Sequence, residues 1–310
     1  MTKSPKVETI EPKSRRQVTM KSLVTEGPRW CPACGDFGIL MALKRFMVTE
    51  QMPQAQTVHV SGIGCSGRTP NYLNTYGLHG IHGRAIPIAT GLVLTRPDLN
   101  IFIESGDGDA LSIGGNHLLH GINKNINCIF LLFNNELYAL TKSQTSPTTR
   151  KGHVTNTQPQ GTYLDPLNPI RLALGMGASF VANSADWMMD HLGNTLRLAA
   201  EHQGFSFVHI SQRCPHYDKA AFTHKEYDWL NFLVSDDGVP PDKRVADQGN
   251  AVPHDPTDLA SALRVAENFK TYLGLIYRNP KKPRYDAILR EQRETAKKKS
   301  RENLLDRYEI

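Results

Sequence analysis

Two groups of residues in this 310-residue chain have the types and spacing for chemistry. The first is Gly106-Asp107-Gly108-Asp109, followed 28 residues beyond Asp107 by Asn135 in the run Phe133-Asn134-Asn135-Glu136-Leu137. An Asp carboxylate, an Asn amide oxygen and a nearby backbone carbonyl make a hard oxygen set. That set suits Mg²⁺, which favours octahedral oxygen ligation and commonly bridges to phosphates. The glycines let backbone approach a diphosphate, and a helix opening after them turns its N–H groups toward it. The second group is cysteine: Cys31 and Cys34 in Trp30-Cys31-Pro32-Ala33-Cys34-Gly35, Cys65 in Ile63-Gly64-Cys65-Ser66-Gly67, and Cys214 before Pro215. Four thiolates can hold a [4Fe–4S] cluster. Structural zinc needs as many ligands but usually pairs two short-spaced dyads. Here 31 residues separate Cys34 from Cys65, and 149 separate Cys65 from Cys214. A thioredoxin-like dithiol at Cys31 and Cys34 lacks the βαβ pattern expected before it. Cys128 sits inside an apolar run and reads as core.

Whether these residues meet depends on the elements that carry them. Thr57-Val58-His59-Val60 is short, β-branched and closed by Gly62, which predicts a strand. Ile101-Phe102-Ile103-Glu104 predicts another, ending at Ser105-Gly106-Asp107-Gly108. Ile113 to Asn123 reads as a helix. Cys128-Ile129-Phe130-Leu131-Leu132-Phe133 is wholly apolar, as a buried parallel strand should be, and Phe205 to Ile210 is one more strand. Strands alternating with helices predict an α/β fold, a doubly wound and mostly parallel sheet whose ligands bind at the carboxyl ends of its strands. In that fold Asp107 and Asn135 share one rim. Cys65 and Cys214, each just past a strand, join them there. Cysteines on a cofactor rim point to electron transfer. Beyond His216 the chain turns to polar, Pro-broken loops (236–256), a helix near 258–269 and a charged helix from about Tyr285. The expected division is an N-terminal arm (1–26), a cofactor-binding domain (27–219) and a C-terminal extension (220–310) that serves subunit interaction.

Composition narrows the classes. A hydrophobic fraction of 39% and a charged fraction of 21% describe an ordinary globular chain. No run of about 18 apolar residues is present, so no membrane span is expected. Met1-Thr2-Lys3-Ser4-Pro5 has no apolar core of a secretory leader, so the expectation is a cytoplasmic protein with reduced thiols. The net charge of +6 is uneven: residues 1–29 carry +4 and residues 278–310 carry +5, leaving −3 between them. No basic module interleaved with aromatics is found, so nucleic-acid binding is not expected. The basic ends are solvated termini or docking points for an acidic partner, with Lys297, Lys298, Lys299 and Arg301 the densest cluster.

The Gly-Asp-Gly…Asn-Asn pair resembles the diphosphate-and-magnesium motif of thiamine diphosphate enzymes. Together with Trp30–Gly35, Ile63–Arg68, His82-Gly83-Arg84-Ala85, Asn134–Thr141 and Ser146-Pro147-Thr148, the chain from about Gly27 to Pro215 resembles the β subunit of the 2-oxoacid:ferredoxin oxidoreductases. It is most like the two-subunit type that uses 2-oxoglutarate. The resemblance implies Mg²⁺ on Asp107, Asn135 and the carbonyl of Leu137, and one [4Fe–4S] cluster on Cys31, Cys34, Cys65 and Cys214. It implies that Ile63, Gly64, Cys65 and Ser66 line thiamine diphosphate, that His82, Gly106, Gly108 and Asp109 contact it, and that Ala139 and Leu140 lie beneath its thiazolium region. Arg68 would face the substrate carboxylate, with Leu140 as the floor. An α subunit would carry the pyrimidine-binding domain and the activating glutamate, in an α2β2 assembly that passes electrons to ferredoxin. The implied reaction is reversible, CoA-dependent oxidative decarboxylation of a 2-oxoacid to acyl-CoA and CO₂, with 2-oxoglutarate favoured over pyruvate or a broad range. Two rivals explain less. A non-redox thiamine diphosphate decarboxylase or carboligase leaves four rim cysteines idle, and a non-catalytic iron–sulfur or zinc scaffold leaves Asp107 and Asn135 without purpose.

Overall fold

An apolar strand buried on both faces needs cover on each side, and the helices supply it. The computed structural model describes residues 17–218, 229–241 and 249–297. In chain order the elements are α1 (Asp36–Thr49), β1 (Thr57–Ser61), β2 (Tyr76–His79), α2 (Ala85–Thr95), β3 (Asn100–Gly106), α3 (Gly115–Lys124) and β4 (Cys128–Asn134). There follow β5 (Leu137–Tyr138), β6 (Gln144–Thr145), α4 (Pro169–Gly175), β7 (Phe180–Ala185), α5 (Met189–Glu201) and β8 (Phe205–Ser211). The chain then forms β9 (Asn231–Val234), β10 (Asn250–Pro253), α6 (Leu259–Glu267), β11 (Tyr272–Arg278) and α7 (Tyr285–Lys297).

Nine strands form one sheet in the order β10-β9-β11-β7-β8-β4-β3-β1-β2. Every pairing is parallel except that of β11 with β7. Alternate side chains serve opposite faces, as the two-residue period of a strand requires. Ile101, Ile103, Phe130, Leu132, Phe205 and Phe207 pack with residues of α2, α3, α4 and α6. Phe102, Ile129, Leu131, Phe133, Val208 and Ile210 pack with α1 and α5 on the other face. The fold is therefore the expected mostly parallel, doubly wound α/β sheet. No helix among the described residues is long and apolar enough to cross a membrane.

Two segments differ from the sequence expectation. The region past 219, read as a tail, adds β9, β10 and β11 to the main sheet. Gly274, at φ +128°, interrupts the apolar run of β11 and hides it from a period reading. The end of the N-terminal arm is also anchored. Val18 and Leu23 are buried with α1, and Gln51 brackets Val18 by accepting from its N–H at 3.1 Å and donating to its carbonyl at 3.0 Å. Residues 1–16, Lys298, Lys299 and Arg301 lie outside the described residues, as does the Lys297 side chain.

Candidate functional site

Because β1, β3, β4 and β8 are parallel, their carboxyl ends share one edge. From that edge emerge the Gly62–Cys65 loop, Asp107, Asn135 and Gln212–Cys214. Asp107, Asn135, Cys65 and Cys214, expected on one rim, share it. Two cavities open there and share a wall. The first is lined by Ile63, Gly64, Cys65, Ser66, His82, Gly106, Asp107, Gly108, Asp109, Asn135, Leu137, Ala139 and Leu140. The second is lined by Trp30, Cys31, Cys34, Arg68 and Cys214, and it meets the first at Cys65, Asn135, Ala139, Leu140 and Gln212.

Asp107 is 1% exposed. Ser146 and Thr148 both donate to its Oδ2, at 2.5 and 2.6 Å. Burial pushes its carboxyl up to about 6, Glu136 adds to the rise, and the two hydroxyls oppose it. Three other buried carboxylates are paired with cations: Glu136 with Arg150 and Lys270, Asp218 with Arg150, and Asp186 with Arg213. Asp107 pairs with no Lys or Arg among the described residues, so its charge suits a bound cation. Asn135 folds back on its own turn, its Oδ1 accepting from Leu137 N at 3.1 Å, while Glu136 takes φ +63°. An amide oxygen has two lone pairs, so this turn bond leaves it one for a metal. Ser66 Oγ is buried in the same cavity without a hydrogen-bond partner. These features fit Mg²⁺ and a diphosphate.

Asp109 has its carboxylate engaged within the chain. Its Oδ1 accepts from Ile63 N at 3.0 Å, Gly83 N at 2.7 Å and His82 Nδ1 at 2.5 Å, and its Oδ2 accepts from Ser105 Oγ at 2.5 Å. It borders the cavity, but its carboxylate ties the two flanking loops to β3. The chain continues as a π-helical turn (Asp109–Ile113) before α3, not as one helix. Tyr138 was not singled out by sequence. Its hydroxyl donates to the carbonyl of Gly108 at 2.9 Å, and its ring lies so close that a Cβ on Gly108 would fall 2.3 Å from Cε1. Only glycine fits there.

The cysteine cavity is held by long-range bonds. Trp30 Nε1 donates to the carbonyl of Cys65 at 2.9 Å, and Gly35 N donates to the carbonyl of Arg213 at 3.0 Å. Burial pushes the Cys65 thiol up to about 12, with Asp36, Cys214 and Cys31 adding and Arg68 opposing. Burial also raises Cys34 and Cys214, and each senses other cysteines of the set. Four thiols that repel one another as thiolates fit a site completed by a cationic iron–sulfur core. Among the described residues no three His, Cys, Asp or Glu side chains are already closed to metal-holding spacing. Cys128 is buried at the start of β4, at the far end of the strand from Asn135. Arg68, expected at the substrate, lines the cysteine cavity next to Leu140, which is 50% exposed.

Residues 62–210 match the family described as thiamine pyrophosphate enzyme, C-terminal TPP binding domain. The chain is 50% identical to the 2-oxoglutarate oxidoreductase subunit KorB of Mycobacterium tuberculosis over 63% of its own length, which spans about half (52%) of that relative. It is 38% identical to the 2-oxoacid:ferredoxin oxidoreductase 1, subunit beta, of Aeropyrum pernix, over 85% of this chain and 81% of that one. A solved structure of 2-oxoglutarate:ferredoxin oxidoreductase from Magnetococcus marinus, with 2-oxoglutarate, coenzyme A and succinyl-CoA bound, superposes with a TM-score of 0.83. The identity there is 32%, and the match covers 96% of this chain and 98% of that one.

Proposed function

The chain belongs to the family of 2-oxoacid:ferredoxin oxidoreductase β subunits, and from that premise we propose that it is the cofactor-bearing subunit of a 2-oxoglutarate:ferredoxin oxidoreductase. The reaction is the reversible conversion of 2-oxoglutarate and coenzyme A to succinyl-CoA and CO₂, with two electrons passed to ferredoxin. The observation that carries this reading is the shared wall: a cavity with oxygen donors for Mg²⁺ adjoins one lined by four cysteines. Thiamine diphosphate supplies the carbanion chemistry that releases CO₂, and a [4Fe–4S] cluster supplies one-electron acceptance.

The residues of this chain bind and orient. Asp107, Asn135 and the carbonyl of Leu137 would hold Mg²⁺. Ser146 and Thr148 fix the rotamer of Asp107, as partners behind a metal ligand commonly do. Ser66 offers its unpartnered hydroxyl to the cofactor beside Ile63 and Gly64, and Tyr138 closes over Gly108. Asp109 aims His82 into the cavity through Nδ1. Cys31, Cys34, Cys65 and Cys214 would hold the cluster. A partner α subunit carrying the pyrimidine-binding domain and activating glutamate completes the pocket, in an α2β2 assembly located in the cytoplasm. The test is anaerobic purification with that partner. A brown, iron-containing complex that reduces ferredoxin only with 2-oxoglutarate and coenzyme A is expected. A colourless, iron-free complex that still decarboxylates would establish the non-redox rival.

Arg68 suits a carboxylate, which guanidinium grips in bidentate fashion. Arg68→Met is expected to lower kcat/KM for 2-oxoglutarate and pyruvate by a similar factor, about tenfold or more, the worth of one charged hydrogen bond. A loss confined to 2-oxoglutarate would assign Arg68 to the distal carboxylate. No loss with either substrate would remove it from the substrate site.

The basic C-terminus would steer an acidic ferredoxin, giving rates that fall with ionic strength. Deleting residues 290–310 should slow turnover with ferredoxin but not with a small neutral acceptor. Equal losses with both would mean that the segment holds the subunits together instead.

A further inference from the structure

Gln212 is the most deeply buried of the residues that line both cavities. Gln212 is 1% exposed and directly follows β8. It lines the oxygen-donor cavity and the cysteine cavity alike, and its backbone N–H donates to the carbonyl of Asn134 at 3.0 Å. Its side-chain nitrogen lies 2.6 Å from the carbonyl oxygen of Arg213 and 3.5 Å from Cys34 Sγ. An amide oxygen would be repelled by a carbonyl oxygen at that separation, so chemistry fixes the orientation: the NH₂ group faces the carbonyl and the sulfur. The amide oxygen is left buried without a hydrogen-bond partner. Such an orphan is costly in a core, and an aliphatic side chain would fill the space without it. The amide therefore points to a role other than packing.

We propose that Gln212 is a positioning residue for electron exit, whose N–H···Sγ bond to Cys34 raises the reduction potential of the cluster beside the thiamine cavity. The proposal rests on the reading of the four cysteines as a [4Fe–4S] site. Hydrogen bonds to cluster sulfurs favour the more negative, reduced state and so raise the potential.

The test compares the purified holoenzyme with Gln212→Met and Gln212→Glu by titrating the cluster electrochemically under paramagnetic-resonance detection, alongside iron analysis. With iron retained, Gln212→Met should shift the one-electron equilibrium about tenfold toward the oxidised form, or ~59 mV downward. Gln212→Glu, which loses the donor and gains an acidic group, should move it further. An unchanged potential in iron-replete variants overturns the proposal. If both variants lose iron, the wild type decides: with glutamine labelled by ¹⁵N at its side chain, pulsed resonance should detect a nitrogen coupled to the cluster. Its absence overturns the assignment. A wild-type holoenzyme containing no iron–sulfur cluster would instead remove the underlying reading, and the proposal with it.

Discussion

Asp107→Ala leaves a folded subunit that no longer retains thiamine diphosphate. The carboxylate is the charged member of the proposed Mg²⁺ set, and a diphosphate without its cation is poorly held. Loss of a residue behind a metal ligand already costs roughly 10–100-fold in affinity, so loss of the ligand itself should exceed about 100-fold. Folding should survive, because the unliganded protein gains little from this charge. Burial raises the Asp107 carboxyl to about 6 from an ordinary value of 3.8. A carboxyl raised on folding disfavours the folded state once it ionises, so the penalty is absent below the ordinary value and complete above the raised one. The cofactor-free Asp107→Asn protein should therefore gain stability relative to cofactor-free wild type as pH rises from 3.8 to about 6, and no further above it. Calorimetric binding of thiamine diphosphate with Mg²⁺, and melting of both cofactor-free proteins at the bottom and the top of that pH range, measure the two effects. Tight binding retained by Asp107→Ala would mean that the cation sits elsewhere.

That Asp107 could be found at all follows from how its neighbours are encoded. The apolar runs within β3 and β4 are contiguous in sequence, and each strand ends on the residue before Asp107 or Asn135. Parallel pairing then brings the two ends together without further information. Cys65 and Cys214 reach the same edge four and three residues past the ends of β1 and β8. Asp109 shows the limit. In sequence it repeats the pattern of Asp107, but its partners Ile63, His82 and Gly83 lie 26 to 46 residues away, and only the fold reveals that they consume its carboxylate. β7 was missed for a related reason. Asn183 makes it look polar, although that side chain is wholly buried and satisfied by the carbonyls of Phe269 and Tyr272 and by His209. Lys270 reaches back from between α6 and β11 to Glu136, beside the Asn135 turn, so part of the supposed tail supports the site. The contact between Gln212 and Cys34 spans 178 residues. Spacing rules cannot reach that far.

Cys31→Ser and Cys214→Ser each strip the iron from the holoenzyme, whereas Cys128→Ser keeps it. Cys31 and Cys214 border one cavity with Cys34 and Cys65, and the loops carrying them are joined by the bond from Gly35 N to the carbonyl of Arg213. Serine in either place replaces a thiolate with an alcohol that stays protonated at neutral pH and gives a cluster three strong ligands instead of four. Cys128 has other surroundings. It starts β4, pairs in register with Phe205 and packs in the core beneath α2 and α3. A serine hydroxyl there loses apolar contact and lacks a sure partner, costing about 1–3 kcal/mol. The Cys128 variant should therefore melt a few degrees lower with unchanged iron and an unchanged resonance signal after reduction. The electrostatics give the same partition. Without iron, the buried thiols of the cavity hold their protons, Cys65 up to about 12, so adding iron and sulfide to the stripped protein should release protons. Cys128→Ser should release as many as wild type, and Cys214→Ser fewer. A folded Cys128 variant without iron, or an iron-replete Cys214 variant, would break the proposed ligand set, because each contradicts the side of the sheet edge on which the cluster is placed.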